Sequence, residues 1–235
     1  MRCLLFTLLL AGMVCAQVER PIDEGMTSAG PVRLIIINHA SMVLDLAGQV
    51  VDVDPVGADR YEGLPESDVI LITHAHGDHL DPAAIAKRRK ESTLIIGPES
   101  VAKSVEGLTV MRNGESLQVG PTGIEAVPAY NLPGGQVFHP KGEGNGYVLS
   151  FGGQRCYVAG DTSAIPEMAS LKEISVAFLP MNQPYTMTPE EVAAAARSFM
   201  PTILYPYHSR GSDTAALVKA LEGSGIEVRL RDWYY

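Results

Sequence analysis

The sequence predicts an α/β fold, an αββα sandwich in which two mixed β-sheets pack face to face and helices cover their outer faces. Three observations lead to this prediction. Short β-branched and apolar runs recur along the chain, segments with helical signals lie between them, and no linker or internal repeat divides the 235 residues. Strands interspersed with helices in a chain of this length favour two layered sheets within one domain.

The first residues have the pattern of an export signal. A short positive start, Met1 and Arg2, precedes an apolar stretch over residues 4–14, and small residues lie before Gln17. The stretch is too short for a comfortable membrane span. We therefore predict a signal peptide over residues 1–16, one domain over residues 17–235, a secreted or periplasmic location and no stable membrane span after cleavage. A retained N-terminal anchor, or a strand of the domain, is the alternative.

The first half of the chain is dominated by strand signals. Apolar and β-branched runs predict strands over residues 32–37, 41–46, 49–53, 69–73 and 93–96. Residues 47–48 form a hairpin turn, and Pro55 ends the third strand because proline has no amide to donate. Asp81 and Pro82 are an N-cap and a first helical residue, which predicts a helix to about residue 90. A short helix is predicted over residues 98–105.

The second half combines strands, one long loop and two helices. Strands are predicted over residues 109–112, 116–119, 124–129, 147–151, 155–159, 176–180, 202–205 and 226–234. The glycine-rich stretch 131–145 is long for a connection in a compact domain, and such a length is typical of functional loops. A capping box at Thr188 and Glu191, with Pro189 between them, predicts a helix to about residue 200. Another helix begins at Ser212.

A histidine-rich loop follows the predicted strand 69–73. It contains His74, His76, Asp78 and His79 within six positions. Imidazole nitrogens and carboxylate oxygens are the ligands that borderline divalent metals prefer. Alternate positions point to different sides, so His74 and His76 can share one ion while Asp78 and His79 reach a second. The loop predicts a two-metal hydrolase.

Three further candidate ligands lie where predicted strands or loops end. His139 is in the long loop, Asp161 follows a strand that ends in glycine, and His208 follows the strand 202–205. Strand ends hold side chains in defined geometry. With His39, these residues and the loop account for all six histidines of the chain, so no background histidine is left over.

Composition excludes some partners. The net charge is −9 and no basic stripe interleaved with aromatic residues runs along the chain, so nucleic acid is not an expected partner. We expect a small-molecule substrate, and the sequence leaves open whether the chain forms a homo-oligomer.

Cleavage of the signal would leave Cys156 as the one thiol, which is interpreted as a small buried apolar side chain.

Several stretches together resemble the metallo-β-lactamase superfamily and, within it, the small metal-dependent hydrolases related to the ascorbate-phosphate lactonase. The matching stretches are NHAS at 38–41, VDVDP at 51–55, THAHGDH at 73–79, AGDT at 159–162, LPMN at 179–182 with YTM at 185–187, and YPYH at 205–208. They span nearly all of the chain after the predicted signal. The resemblance implies the αββα fold and hydrolysis at two metals.

The resemblance also implies roles for the candidate residues. It assigns His74, His76 and His139 to a first metal, Asp78, His79 and His208 to a second, and Asp161 to a bridge between them. Many relatives place the middle histidine where this chain has Asn131, and His139 is the single histidine of the long loop. A solvated loop histidine is the alternative for His139.

Further residues are expected to border the site. Asp78 or Asp161 could relay a proton. His39 is expected near the metals, in contact with substrate or with a ligand, or else in a structural hydrogen bond. Asp54 either orients the histidine loop or caps a turn. The loop residues expected to contact substrate are Asn182, Tyr185, Lys141 and Arg210. Lys141 and Arg210 could recognise an anionic substrate or be solvated surface charges.

The favoured function is a hydrolase in which a metal-activated hydroxide attacks an ester, lactone or phosphodiester. A β-lactamase is a special case of it. The alternatives from other classes are a metal-dependent oxidoreductase and a non-catalytic metal-binding module. The expected cofactor is two divalent ions, with zinc as the default for a His/Asp site and manganese or iron as alternatives.

The export signal makes one prediction that can be tested directly. If residues 1–16 are removed on secretion, the mature protein begins at Gln17, and mass spectrometry of protein from an exporting host will give that terminus. An intact Met1 in the exported protein would contradict the assignment.

Overall fold

A computed structural model of the chain describes residues 20–134 and 136–235. The predicted signal peptide, residues 1–16, therefore lies outside the described residues. Among the residues that are described, no helix is both long and apolar enough to span a membrane.

The first of two seven-stranded sheets is built from the N-terminal half. Its strands lie side by side in chain order: β1 (Ile22–Thr27), β2 (Gly30–Asn38), β3 (Ser41–Leu46), β4 (Gln49–Val53), β5 (Ser67–Leu71), β6 (Arg89–Gly97) and β7 (Leu108–Val110). Pairing is antiparallel from β1 to β4 and parallel from β4 to β7. The sheet is therefore mixed, and β5, which leads to the histidine loop, lies in its parallel half.

The second sheet repeats this plan. Its strands are β8 (Ser116–Val119), β9 (Thr122–Ala129), β10 (Gly144–Phe151), β11 (Gln154–Val158), β12 (Val176–Pro180), β13 (Ile203–Tyr207) and β14 (Glu227–Val228). Pairing is antiparallel from β8 to β11 and parallel from β11 to β14. Both sheets thus change from antiparallel to parallel pairing after four strands.

Helices cover the outer faces, which confirms the predicted αββα sandwich. Within residues 20–134 and 136–235, the α-helices are α1 (Pro82–Arg88), α2 (Pro189–Phe199) and α3 (Thr214–Ala220), and short 3-10 helices cover Ala58–Tyr61, Glu99–Val101 and Pro166–Ser170. Ile85 of α1 packs on Ile70 and Ile95 of the first sheet. Val192 and Phe199 of α2 belong to the cluster on the outer face of the second sheet.

The main core lies between the sheets, where alternate side chains of each strand point inward. Val51, Val53 and Leu71 of the first sheet share a buried cluster with Tyr147 and Tyr207 of the second. Each of these side chains is at most 1% exposed. Complete burial of one such side chain contributes about 1.5–3 kcal/mol relative to leaving it in water. This packing fixes the strand ends that carry the candidate ligands.

Three predicted elements differ clearly from the structure, and one strand was missed. β1 was not predicted, because its six residues include Asp, Glu and Gly and show no apolar alternation. The predicted helix 98–105 is only the 3-10 turn Glu99–Val101. α1 ends at Arg88 because Arg89 is already extended and begins β6. The predicted strand 226–234 is reduced to Glu227–Val228, since the following tail turns inward to bury Trp233 between the sheets.

A buried ion pair attaches α1 to the first sheet. The Arg88 guanidinium donates to both carboxylate oxygens of Asp52, from Nε at 2.6 Å and from Nη2 at 3.2 Å. Nη2 also donates to the Pro65 carbonyl at 2.6 Å, and the guanidinium lies 4.9 Å from the centre of the Tyr61 ring. Neither charged side chain is more than 2% exposed. A buried charge needs this full set of partners, because an unpaired one would be costly.

Removing one partner of this pair is expected to destabilise the fold strongly. Arg88→Met should lower the free energy of unfolding by about 3–5 kcal/mol, because it leaves the Asp52 carboxylate buried without a partner. Urea denaturation followed by circular dichroism measures the change.

The matched control is Arg112→Met. Arg112 pairs with Glu99 at 2.8 Å, but both side chains are about two-thirds exposed. This variant should change the unfolding free energy by less than about 1 kcal/mol. Equal effects of the two substitutions would contradict the role given to the buried pair.

Candidate metal centre

The histidine loop leaves the end of β5 and returns into α1. Thr73 lies two residues beyond the strand, and the chain then turns tightly, with the amides of His79 and Leu80 both donating to the His76 carbonyl. Asp81 caps α1 by accepting from the amides of Ala83 and Ala84, as predicted. The turn buries His74 and His79 and leaves His76 and Asp78 open to solvent.

Other strand ends bring in the remaining candidates. Asp161 follows β11 and Gly160, and His208 follows β13 directly. Gly160 has a φ of +66°, and a Cβ at this position would lie 2.9 Å from the Asn145 carbonyl oxygen. Only glycine fits here without strain. His139 comes from the loop between β9 and β10.

All seven predicted ligands meet at one edge of the sandwich. Together with His39, they fall into three overlapping groups whose ligand atoms lie within 4.8 Å of one another: His39, Asp78, His79 and His208; His74, His76 and His139; and His74, His79 and Asp161. Their role as metal ligands remains a prediction, but the juxtaposition is a property of the fold.

Asp161 occupies the centre of this arrangement. Its Oδ2 lies 3.2 Å from His139 Nε2, 3.3 Å from His208 Nε2 and 4.0 Å from His74 Nε2. Its Oδ1 lies 3.4 Å from His79 Nε2. Burial alone would raise the pKa of Asp161, but the charges of His79 and His208 hold it well below its usual range. The carboxylate is therefore ionised at neutral pH.

Asp78 forms the solvent side of the cluster. Its Oδ2 lies 3.2 Å from His39 Nε2, 3.5 Å from His208 Nε2 and 3.9 Å from His79 Nε2. The proximity of His208 and His39 holds the pKa of Asp78 well below its usual range. Its side chain is about half exposed, so Asp78 is the carboxylate of the cluster that reaches bulk water.

A third carboxylate, Asp54, orients His79 directly and His74 through Thr73. It accepts from the Thr73 amide at 2.7 Å, from the Thr73 hydroxyl at 2.6 Å and from His79 Nδ1 at 2.7 Å. Because the Thr73 hydroxyl donates to Asp54, it is free to accept from His74 Nδ1, 3.0 Å away. Both histidines thus use Nδ1 as a donor and present Nε2 to the cluster. Of the two roles considered for Asp54, the structure supports the orienting one.

The protonation of these two histidines differs. Burial, together with the charge of His79, lowers the pKa of His74 well below its usual value and keeps His74 neutral. Burial acts in the same direction on His79, but Asp161 and Asp54 outweigh it and raise the pKa of His79 to about 9. A cation at His79 Nε2 would take the place of that proton.

Asn131 orients His139 in a similar way. Its Oδ1 accepts from the amides of Phe138 and His139, both at 2.9 Å, and from His139 Nδ1 at 3.1 Å. Its Nδ2 donates to the Tyr185 carbonyl at 3.0 Å. The residue that stands where many relatives have a histidine therefore holds the later histidine in place. No role was predicted for Asn131, because only the folded loop brings it beside His139.

The donor atoms fit a divalent metal. The Nε2 atoms of four buried histidines and Oδ1 of Asp161 have no hydrogen-bond partner among the described residues; the histidines are His74, His79, His139 and His208. Buried polar atoms are normally satisfied, so this concentration of exceptions needs an explanation. Two ligands of one tetrahedral zinc lie about 3.3–3.6 Å apart. The separations of 3.2 to 3.4 Å between Asp161 and three of these histidines fall at or close to that range.

His39 lies between the cluster and the C-terminal tail. It has a φ of +55°, and its carbonyl accepts from the His208 amide at 3.1 Å. Its Nδ1 is 2.9 Å from the Tyr234 hydroxyl, while Nε2 faces Asp78. A non-glycine residue in this region of φ is strained, which is typical of functional sites. Tyr234 was not predicted, because the sequence assigned it to a strand.

The four loop residues that were predicted to contact substrate lie in different surroundings. Tyr185 is exposed, and its ring lies 4.8 Å from that of Phe138. The Arg210 guanidinium lies 4.6 Å from the centre of the Tyr234 ring, and the Arg210 carbonyl accepts from Asn182 Nδ2 at 3.4 Å. The ammonium of Lys141 is engaged elsewhere, at 2.8 Å from Glu167 Oε1 and 4.5 Å from the centre of the Tyr130 ring.

A small cavity opens beside His74, His76 and His139. Phe138, Pro140 and Glu143 line its outer part, and Asp161 lines its floor. Its volume is about 130 Å³. Phe138 gives this cavity an apolar wall next to the cluster, a feature that the sequence alone did not reveal.

Comparison with known proteins identifies the family. The model of the β-lactamase superfamily domain matches residues 33–208, a span that contains all seven candidate ligands. A metal-dependent hydrolase of Thermococcus onnurineus (strain NA1) is 32% identical over 169 residues, covering 66% of this chain and 72% of that protein. Another, from Methanopyrus kandleri, is 30% identical over 193 residues, covering 75% and 84%.

A solved structure agrees with these relatives. The crystal structure of a protein of Parabacteroides distasonis ATCC 8503, provisionally described as a metal-dependent hydrolase, aligns with a TM-score of 0.88 and 44% identity. The alignment covers 92% of this chain and all of the other. The chain therefore belongs to the metallo-β-lactamase superfamily and, within it, to a family of metal-dependent hydrolases.

Proposed function

We propose that this protein hydrolyses an ester, lactone or phosphodiester with two divalent ions, of which zinc is the default and manganese or iron are alternatives. The observation that carries the proposal is the set of buried, unpartnered ligand atoms around Asp161. Without a cation these atoms would leave a large desolvation cost uncompensated. A cation among them removes that cost.

The division of ligands between the two ions follows the geometry of the groups. His74, His76 and His139 form one set, and Asp78, His79 and His208 form the other. Asp161 is within 3.4 Å of His139 on one side and of both His79 and His208 on the other. This position supports the bridging role assigned to Asp161.

Divalent ions at this site would supply the hydrolytic chemistry, and side chains of the protein would transfer protons. Bound divalent ions activate water near neutral pH and polarise a carbonyl or phosphoryl oxygen. Asp78 and Asp161 are both ionised, but only Asp78 is open to solvent. Asp78 is therefore the better placed of the two to accept a hydrogen bond from an attacking water and to pass its proton outward.

The surroundings of the cluster suggest how a substrate is held. Phe138, with Tyr185 against its ring, offers an apolar wall on the side of His139. Arg210 and Asn182 border the other side, near His39. Lys141 is already paired with Glu167, so recognition of a negative substrate group falls to Arg210 rather than to Lys141.

Loss of a first-site ligand should stop turnover. His76→Ala is chosen because His76 is exposed, so its removal should not affect folding. Replacing residues that merely orient a ligand costs 10- to 100-fold in metal affinity or activity. Loss of the ligand itself should therefore lower kcat/KM by more than about a hundredfold and reduce bound metal. Elemental analysis and hydrolysis of phosphodiester, lactone and β-lactam probes measure both.

The control is Glu106→Ala, which removes an exposed carboxylate that makes no side-chain hydrogen bond among the described residues. It should leave bound metal and turnover unchanged. Wild-type metal content and rate in His76→Ala would count against the ligand assignment. A protein that binds two ions but cleaves none of the probes would instead favour the non-catalytic alternative.

Substitutions of Asn131 test the assignment of His139 as a metal ligand without replacing the histidine itself. Asn131→Leu removes the acceptor of His139 Nδ1 and should weaken binding of one of the two ions by about 10- to 100-fold. Asn131→Asp keeps that acceptor and should bind both ions nearly as the unmodified protein does. Competition with a chromophoric chelator measures the two affinities. If Asn131→Leu binds both ions unchanged, His139 is not a ligand.

A further inference from the structure

The group of residues around Asp78 contains one histidine more than the assignment of ligands uses. His39, Asp78, His79 and His208 place their ligand atoms within 4.8 Å of one another. Nε2 of His39 lies 3.2 Å from Asp78 Oδ2, a separation that fits a hydrogen bond and is also close to that of two ligands of one ion. The surroundings of the His39 ring decide between a fourth ligand and a hydrogen-bond donor.

The other ring nitrogen of His39 faces a tyrosine of the C-terminal tail. Nδ1 lies 2.9 Å from the Tyr234 hydroxyl. The tail is held in this place by the buried Trp233, whose carbonyl accepts from the His39 amide at 3.0 Å, and by Tyr235, whose hydroxyl donates to a carbonyl of β2 at 2.9 Å. The tail therefore reaches the metal centre from outside the segment that the family match covers, which ends at residue 208.

The oxygen of the Tyr234 hydroxyl already receives hydrogens from the backbone. The Arg210 amide donates to it at 2.9 Å. Burial raises the pKa of Tyr234, and the N–H groups of Arg210 and Ser209 act against that rise, so both point at the oxygen. A hydroxyl offers two lone pairs and one proton. Because both lone pairs are taken, the Tyr234 hydroxyl can only donate, and its acceptor is His39 Nδ1.

This arrangement is the reverse of that found at the candidate ligands. A metal-bound imidazole almost always donates its second N–H to an acceptor. Nδ1 of His79 faces the Asp54 carboxylate, and Nδ1 of His139 faces the side-chain oxygen of Asn131. In both, Nε2 has no partner among the described residues, whereas both ring nitrogens of His39 have one. The surroundings of His39 therefore differ from those of a ligand.

We propose that Tyr234 is a positioning residue of the metal centre. Its hydroxyl donates to His39 Nδ1, which leaves the proton of His39 on Nε2, and Nε2 donates to Asp78 Oδ2. His39 thus holds Asp78 in place and does not itself bind an ion. This role rests on the proposed function, because it takes Asp78 as a metal ligand. The position of the proton on His39 can nevertheless be observed whether or not the protein hydrolyses any probe.

Long-range proton–nitrogen correlation NMR, on the metal-free and on the zinc-loaded protein, shows which ring nitrogen of His39 carries the proton. The His39 signals are identified by their loss in His39→Gln. In both states we expect a proton on Nε2 and an unprotonated, hydrogen-bonded Nδ1. A proton on Nδ1, or a His39 Nε2 bound to zinc, would overturn the role given to Tyr234. Failure to bind zinc would count against the proposed function, whereas the metal-free spectrum still tests the two hydrogen bonds.

Tyr234→Phe removes the hydroxyl but keeps the ring, whose centre lies 4.6 Å from the Arg210 guanidinium. The His39 Nδ1 signal should move to the position of a nitrogen without a hydrogen bond. The affinity for one of the two ions should fall about tenfold, which is the lower end of the effect of residues that orient ligands. Competition with a chromophoric chelator measures it. The matched control, Tyr235→Phe, removes a neighbouring hydroxyl and should change neither quantity. Equal responses of the two variants would contradict the proposal.

Two substitutions of His39 test how it acts on Asp78. A glutamine places an amide N–H donor near the position of Nε2 but lacks the imidazole nitrogen that binds metals. His39→Gln should therefore bind both ions within a few-fold of the unmodified protein, and His39→Leu should weaken binding of one ion by about 10- to 100-fold. Equal, large losses in both variants would mean that His39 is itself a ligand. Melting curves show whether each variant is folded, and the spectrum of the unmodified protein tests the proposal where one is not.

Discussion

The candidate metal centre depends on one buried carboxylate, Asp54, at the end of β4. It is fully buried and has a φ of +44°, a strained conformation for a residue other than glycine. Its three donors are the Thr73 amide, the Thr73 hydroxyl and His79 Nδ1. Because a buried carboxylate must be satisfied, this set of donors holds Thr73 and His79 in fixed positions. Nε2 of His79, and that of His74 through Thr73, is thereby directed at Asp161.

The sheet topology explains why the ligands meet where they do. In each sheet the pairing becomes parallel after the fourth strand, so the carboxyl ends of β5, β11 and β13 lie at the same edge of the sandwich. In open α/β sheets, ligands bind outside the carboxyl ends of the strands, where the topology changes. Because packing on both faces holds these strands in place, the loops that follow them begin at defined positions. Two sheets with the same plan therefore supply one site from both halves of the chain.

Much of this arrangement could be predicted from the sequence, for physical reasons that differ between residues. The histidine loop was recognisable because its four ligands lie within six positions, and Asp161 and His208 because each follows an apolar strand. Asn131 and Tyr234 could not be found in this way, since each acts by a side-chain contact with a residue distant in sequence, His139 and His39 respectively. The pairing of Lys141 with Glu167 is a tertiary contact of the same kind. Local pattern therefore indicated most of the strands and the histidine loop, but it could not reveal contacts between side chains that are distant in sequence.

The charges of the cluster link metal binding to folding. Asp54 and Asp161 are buried and flank His79, whose pKa they raise to about 9. Without metal, the fold therefore keeps a proton on His79 at neutral pH to balance the two carboxylates. A divalent ion held by His79 Nε2 would replace that proton with more charge at the same place, so its binding would release a proton and would tighten as the pH rises towards 9. Because the unfolded chain lacks this preformed set of ligands, any ion bound to the folded state also adds to its stability. Asp54 thus orients the candidate ligands, and together with Asp161 it would connect the stability of this edge of the sandwich to the binding of an ion.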